Sequence, residues 1–256
     1  MKHLISAFIA LSVLAVCFQQ AVSAESKKRN IRKDTEAAVT QDTDLIDQPT
    51  AGILEYYGFT ARTRFFSGGG VLGNLAFGVL PRLNLGVSMS VDHLIGNTTP
   101  IRLIRPEIQV KYRFYDGGQY IPALALGYDG QGYYYDKSSK KHLEKGRGLY
   151  LNGSQEIGIP GFFIHPGFNV SDFDSSGIFG FVGISYTMED KASLMLEWDN
   201  INKINYSRFN TGLRIHVTPF FSLDLAVREM FRKGVFDNGL QRRPERVVQL
   251  RYVSNF

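Results

Sequence analysis

Residues 83–92 read LNLGVSMSVD. Apolar side chains at the odd-numbered positions alternate with small or polar side chains at the even-numbered positions. Because successive side chains of a β-strand point to opposite faces, this stretch predicts a strand with one apolar and one polar face. Such a strand fits a soluble β-sandwich with its apolar face inward. It equally fits an outer-membrane barrel with its apolar face toward lipid, and the rest of the chain decides between them.

The same alternation recurs along the chain and predicts about twelve strands, an even number typical of outer-membrane barrels. The predicted strands lie near 53–65, 71–79, 83–92, 103–114, 120–129, 149–157, 162–170, 178–187, 192–199, 208–217, 221–229 and 245–256. Links after even-numbered strands are short, whereas most links after odd-numbered strands are longer, notably 130–148 and 230–244. Outer-membrane barrels sort their links in this way, with short turns and both termini on the periplasmic side. The sequence therefore predicts an all-β, antiparallel, up-and-down transmembrane barrel.

The first 24 residues have the basic start, apolar core and small-residue end of a secretory signal peptide. Met1-Lys2-His3 precedes an apolar run to Phe18, and small residues end at Ala24, where we expect cleavage. Residues 25–49 are polar and of mixed charge, which predicts a flexible periplasmic tail. Residues 50–256 would then form the barrel, in the outer membrane of a Gram-negative-type bacterium.

Four segments resemble the YjbH-like family of outer-membrane barrels. They are PTAG at 49–52, GGGVLGNLAFGV at 68–79, RPEIQVKYRFYD at 105–116 and PALALGYDGQGYYYD at 122–136. The resemblance extends from about residue 47 to residue 200. It implies an outer-membrane barrel linked, in some members, to exopolysaccharide production or export, and it supplies no catalytic residues.

No motif of the sequence indicates catalysis or metal binding. Gly68, Gly70 and Gly73 match the G-x-G-x-x-G pattern, but a strand follows them, so they indicate a glycine hairpin rather than a nucleotide loop. No histidine after the signal peptide has a second histidine or a cysteine at i+2 or i+4. We therefore expect no enzyme, no cofactor, no metal and no nucleic-acid partner.

Basic side chains dominate the predicted inner wall. The nine basic residues are Arg62, Arg64, Arg105, Lys111, Arg113, Arg208, Arg214, Arg228 and Arg251. The six acids on the same faces are Asp92, Glu107, Glu156, Glu197, Asp199 and Asp224. Two interpretations remain open. In the first, the charges pair with one another across neighbouring strands. In the second, a basic surplus in an open lumen favours passage of anions and acidic sugars, and Arg113 and Arg214 are the residues expected to produce this preference.

Two further groups of residues suggest contacts outside the barrel wall. A candidate sugar contact consists of Asp129, Gln131, Tyr133, Tyr134 and Tyr135, although an outer aromatic girdle is the better explanation of the tyrosines. The basic loop 136–147 predicts contact with lipopolysaccharide phosphates. The alternating end of the chain resembles an assembly signal read by the barrel-assembly machinery, with Val248, Leu250, Tyr252 and Phe256 on one face.

These observations predict a non-enzymatic barrel that serves cell-envelope or exopolysaccharide traffic, with outer-membrane lipid, lipopolysaccharide and an acidic polysaccharide as partners. The alternatives are a general small-solute or anion channel, and a structural or adhesive barrel plugged by its own side chains.

We predict that the protein fractionates with outer membranes, and that its folded form migrates differently from the boiled form on a gel. Closed strand pairing leaves no sheet edge from which unfolding could start, so the fold resists detergent until it is heated. Recovery as a soluble periplasmic protein would contradict the barrel.

Overall fold

The computed structural model describes residues 42–118, 120–136, 139–144, 146–170, 177–202, 207–231, 234–235 and 241–254. Seventeen strands lie in these ranges. They are β1 (Phe59–Phe66), β2 (Gly70–Leu80), β3 (Leu83–Asp92), β4 (Arg102–Leu103), β5 (Glu107–Tyr115), β6 (Ala123–Asp129), β7 (Tyr133–Asp136), β8 (Lys141–Glu144), β9 (Gly148–Glu156), β10 (Phe162–Val170), β11 (Ile178–Met188), β12 (Ala192–Asp199), β13 (Arg208–His216), β14 (Phe221–Arg228), β15 (Gly234–Val235), β16 (Gln241–Arg242) and β17 (Glu245–Ser254).

Twelve of these strands form a closed antiparallel barrel. Each barrel strand pairs with its neighbours in sequence, and the ring closes where β1 pairs with β17, with Phe59 opposite Ser254. The remaining strands are short: β4 extends the β3 edge, while β7–β8 and β15–β16 form two separate hairpins within the links. This closed ring confirms the predicted antiparallel barrel. Closure satisfies the ladder hydrogen bonds of every barrel strand, because no strand is left at an edge.

The alternation of each strand decides which side chains face inward. On β3, Asn84, Ser88 and Ser90 are buried inside the barrel, whereas Leu85 and Val87 are 42% and 43% exposed on its outer surface. The same arrangement holds around the ring and gives an exposed apolar surface suited to lipid. The polar face of LNLGVSMSVD therefore lines the lumen. Within the described ranges, no helix is long and apolar enough to span a bilayer.

The links differ between the two ends of the barrel. At the end that carries the start of β1 and the end of β17, the links are 81–82, 116–122, 157–161, 189–191 and 217–220. We call this the short-link end. The links at the opposite, long-link end are 93–106, 130–147, 171–177, 200–207 and 229–244, together with the tight turn at 67–69. That turn needs glycine, since Gly68 and Gly69 have φ values of 79° and 73°.

Two boundaries differ from the sequence prediction. The first strand begins at Phe59 rather than near residue 53. Residues 42–49, assigned from sequence to the flexible tail, lie against the barrel strands, and Leu45 and Gln48 are fully buried. The tail prediction is corrected for these residues, because their side chains and backbone find specific partners that a solvated tail lacks. Residues 1–41, with the predicted signal peptide, lie outside the described residues.

We predict that a cysteine introduced as Ser139→Cys is labelled by a membrane-impermeant thiol reagent on intact cells, whereas Lys191→Cys is not. Ser139 is exposed at the long-link end, and the Lys191 side chain is 79% exposed at the short-link end, so burial protects neither site. Labelling of both in lysed cells is the control. Labelling of position 191 alone on intact cells would mean that the barrel has the opposite orientation.

Candidate functional site

The lumen holds a turn of the chain that precedes the first strand. The Thr50 N–H donates to the Thr43 carbonyl (3.2 Å), and the Leu45 N–H donates to the Gln48 carbonyl (2.9 Å). Asp44 and Pro49 form an antiparallel bridge between these two bonds. We call residues 43–50 the lumen hairpin.

Apolar contacts seat the tip of the lumen hairpin. Leu45 and Ile46 form a buried cluster with side chains from three strands of the inner wall. These wall residues are Met195, Ala226 and Val247, with Phe66 packed at the edge. This apolar patch in an otherwise polar lumen removes the Leu45 and Ile46 side chains from water, which stabilises the bound hairpin.

Two glycines of the wall make room for the same tip. A Cβ at Gly183 would lie 2.6 Å from Leu45 Cδ1 and 2.7 Å from Gln48 Oε1. A Cβ at Gly212 would lie 3.0 Å from Ile46 Cδ1. The wall is therefore shaped to the hairpin, and a larger side chain at Gly183 would displace it.

A single buried carboxylate receives the backbone of the hairpin tip. Glu197 Oε1 accepts the N–H groups of Ile46, Asp47 and Gln48 at 2.8, 2.8 and 2.7 Å. Its other oxygen, Oε2, accepts from Asn210 Nδ2 at 2.7 Å. Charge-assisted bonds of this kind are about twice as strong as neutral ones, so Glu197 anchors the turn.

The first of two arginine pairs holds Asp44. Arg62 of β1 and Arg251 of β17 both form ion pairs with its carboxylate. We call Arg62 and Arg251 the first clamp. Arg62 also donates to Asn74 Oδ1, from Nε at 3.0 Å and from Nη2 at 2.7 Å.

The second arginine pair holds Asp47. Arg64 of β1 contacts Asp47 Oδ1 at 2.7 Å, and Arg228 of β14 contacts Asp47 Oδ2 at 2.5 Å. We call Arg64 and Arg228 the second clamp. Burial by itself raises the pKa of the Asp47 carboxyl, but the two guanidinium groups outweigh it and hold that pKa well below its usual range.

The other predicted lumen cations are also engaged. Arg214 is fully buried and pairs with Asp224 (2.8 Å) and Asp42 (2.6 Å), so it does not line an open pore. Lys111 Nζ donates to the Thr50 carbonyl at 3.1 Å. Arg113 pairs with Asp116 (3.1 Å), and Arg208 lies on the inner face of β13. Arg105 precedes β5, where its side chain is half-exposed and contacts Glu107 (2.6 Å).

The expected basic surplus is corrected by acids that the sequence analysis placed in the tail. Asp42, Asp44 and Asp47 each form an ion pair with an arginine of the predicted inner wall, and Glu156, predicted to face inward, is exposed. The signal that could have found them is local. Three aspartates surround the apolar pair Leu45-Ile46 just before the first strand, a pattern that a solvated tail does not need.

The predicted sugar-contact residues are drawn into the same network. The Tyr133 ring lies 3.9 Å from the Arg228 guanidinium carbon, and its hydroxyl donates to Asp47 Oδ1 at 3.1 Å. Gln131 accepts from Ser88 (2.8 Å), and Asp129 accepts the Gln131 N–H (2.9 Å). Tyr135 contacts the His142 ring, while the side chain of Tyr134 lies outside the described part.

The β7–β8 hairpin covers the long-link end of the lumen. His142 on β8 is buried, with Nε2 3.2 Å from Glu107 Oε1. A cavity of about 10 Å³ lies beneath it, room for about one water molecule. Arg147, expected in a loop facing lipopolysaccharide, instead pairs with buried Asp199 at 2.9 Å. These contacts turn part of the outer loop inward.

The remaining predicted residues have simpler positions. Val248, Leu250 and Tyr252 lie on the outer face of β17, each 36–42% exposed, while Phe256 lies outside the described residues. No cluster of three metal-binding side chains occurs in the described ranges.

A buried serine–histidine pair joins β9 and β10. Ser154 Oγ lies 2.7 Å from His165 Nδ1. The other ring nitrogen of His165, Nε2, contacts Ser185 Oγ at 3.1 Å rather than a carboxylate. The Ala51 N–H donates to the same Ser154 oxygen (2.8 Å), so the pair is structural.

Solved structures of the same fold are porins. A KdgM porin has a TM-score of 0.53 and 12% sequence identity, covering 77% of this chain and 99% of that porin. A KdgM porin in complex with disordered oligogalacturonate gives 0.50 with the same identity and coverage, and a NanC porin gives 0.44, also at 12% identity. No protein-family model and no curated protein matches the sequence. The comparison shows a porin-like β-barrel fold.

We predict that Glu197→Gln lowers the free energy of unfolding by about 1–3 kcal/mol, because three backbone N–H groups lose a charged acceptor inside the barrel. Urea unfolding of the refolded protein in detergent measures this change. Glu189→Gln is the matched control, since the Glu189 side chain is 80% exposed, and it should change the value by less than about 0.5 kcal/mol. Equal effects of the two substitutions would contradict the anchoring role of Glu197.

Proposed function

We propose that the protein is a non-enzymatic outer-membrane barrel that serves exopolysaccharide or other cell-envelope traffic and is closed at rest by its own lumen hairpin. The observation that carries this proposal is the arginine-rich inner wall, whose charges are neutralised in part by a turn of the chain that is not a barrel strand. An acidic glycan is the ligand class that such a wall suits.

Two likenesses support the proposal. The four segments that resemble YjbH-like barrels support a role in exopolysaccharide traffic, and membership of that family is part of the proposal. The porin fold provides a lumen along which a chain molecule can pass, and one of the similar porins is in complex with oligogalacturonate, an acidic sugar chain. The exposed apolar outer surface favours an outer-membrane location.

The alternatives make different demands on the hairpin. A general small-solute or anion channel needs a lumen that is open in the resting protein, whereas the Asp44, Asp47 and Glu197 contacts fill it. A structural or adhesive barrel is plugged by its own wall side chains as well, so it stays closed even without the hairpin. Electrical conductance separates all three.

We predict that deletion of Asp44–Pro49 converts a mostly closed barrel into an anion-selective pore in planar bilayers. The deletion joins residues that already lie together, since the Thr50 N–H donates to the Thr43 carbonyl, and it removes two acids while leaving both clamps in place. Reversal potentials under a salt gradient measure the selectivity.

The heat-dependent gel shift controls for folding of the deleted variant. Steady conductance of the wild-type protein would favour the general channel, and silence of both proteins would favour the structural barrel. Cation selectivity of the deleted variant would contradict the role of the clamps.

We also predict that cells lacking the gene lose or thin their stained capsule, and that a plasmid copy restores it. An unchanged capsule would remove the exopolysaccharide role without affecting the conductance result.

A further inference from the structure

Removal of the lumen hairpin would leave two arginines of one strand without their acids. Among the described residues, Asp44 is the acid paired with Arg62, and Asp47 is the acid paired with Arg64. The neutral partners would stay: Asn74 beside Arg62 and, at 3.1 Å, Gln249 beside Arg64. These amides accept hydrogen bonds but carry no charge to balance a guanidinium group.

The other two clamp arginines keep acids of the wall. Arg228 remains paired with Glu245, and Arg251 lies 3.8 Å from Asp224. The charge that would appear on withdrawal of the hairpin therefore concentrates on β1. Its two guanidinium groups lie two residues apart on the same face of the strand, a separation of about 7 Å along the backbone.

The hairpin can leave without breaking a strand pairing. It contributes no strand to the barrel ladder, and its two ends are joined to each other through Thr43 and Thr50. Its contacts with the wall are side-chain ion pairs, the bonds to Glu197 and the packing of Leu45 and Ile46, together with further hydrogen bonds from wall side chains. Among the latter, Lys111, Asn152 and Arg214 donate to hairpin carbonyl groups, and Asp199 accepts from the Gln48 amide at 3.1 Å. None of these contacts belongs to a strand pairing of the barrel.

We propose that the two clamps are binding sites for the carboxylate groups of an acidic glycan, and that the lumen hairpin is their internal competitor. This inference rests on the proposed function and adds to it the ligand groups that would displace the hairpin. Asp44 and Asp47 occupy the positions that ligand carboxylates take, and each guanidinium offers the paired N–H donors that a carboxylate accepts. Arrival of the ligand replaces the charge of the hairpin, so opening leaves no clamp uncompensated.

The test is a binding titration of the full mature protein, followed by calorimetry. The probes are hexuronic-acid oligomers, sulfated glucose oligomers and neutral glucose oligomers of equal length. The double variant Asp44→Asn with Asp47→Asn weakens the competitor, and we expect it to bind the hexuronic-acid oligomer about tenfold more tightly than wild type. Arg62→Gln with Arg64→Gln should lose that binding.

A steric variant tests the same competition without altering any charge. Gly183→Val pushes on Leu45 and Gln48, so it should also tighten binding of the hexuronic-acid oligomer. Gly180→Val is its matched control, because Gly180 lies on the outer face of the same strand with its nearest neighbour 3.9 Å from an added Cβ. The control should bind like wild type, and the heat-dependent gel shift establishes folding of every variant.

Three outcomes would overturn the inference: unchanged affinity in the aspartate variant and in Gly183→Val, equal binding of neutral oligomers, or tighter binding of sulfated than of carboxylated oligomers. These results are independent of the capsule assay. Loss of the exopolysaccharide role with competition intact would leave the clamps as carboxylate sites for another acidic chain.

Discussion

Guanidinium groups inside a barrel need anionic partners, and this requirement organises the lumen. A charge removed from water without compensation is costly, and removal of one partner from a buried ion pair costs about 3–5 kcal/mol. The inner wall brings arginines from β1, β13, β14 and β17 together around one region. The lumen hairpin supplies the acids that complete their pairing, so its position follows from the charges of the wall.

Three kinds of interaction hold the hairpin, and β12, β14 and β17 each contribute to more than one of them. Apolar packing fixes the tip, Glu197 binds the tip backbone, and the two clamps bind its carboxylates. The first two recognise the turn itself, whereas the third recognises only an anion. Under the proposal, an anionic ligand therefore competes with the hairpin for the clamps alone.

The long-link end adds a second layer of closure. The β7–β8 hairpin brings Tyr133 over Arg228, and the Tyr133 hydroxyl bonds Asp47. The β7–β8 hairpin and the lumen hairpin thus contact the same guanidinium, that of Arg228, and are joined through the Asp47 carboxylate. Under the proposal, a ligand that displaces Asp47 also removes a hydrogen-bond partner of the β7–β8 hairpin.

The twelve strands, their faces and most of the inner-wall cations could be predicted from the sequence, because β alternation is a local property. The residues on either side of Arg64 or Arg251 are enough to assign its side chain to the inner face. The position of the lumen hairpin could not be predicted, since 42–49 has no strand periodicity and its local pattern of aspartates around Leu45-Ile46 does not say which residues it meets. Asp44 meets Arg251 across 207 positions of the chain. Only closure of the ring, which places β17 beside β1, creates the charged interior that holds the tail. The sequence by itself determined the barrel and its polar lining; the tertiary structure decided that the lining is occupied.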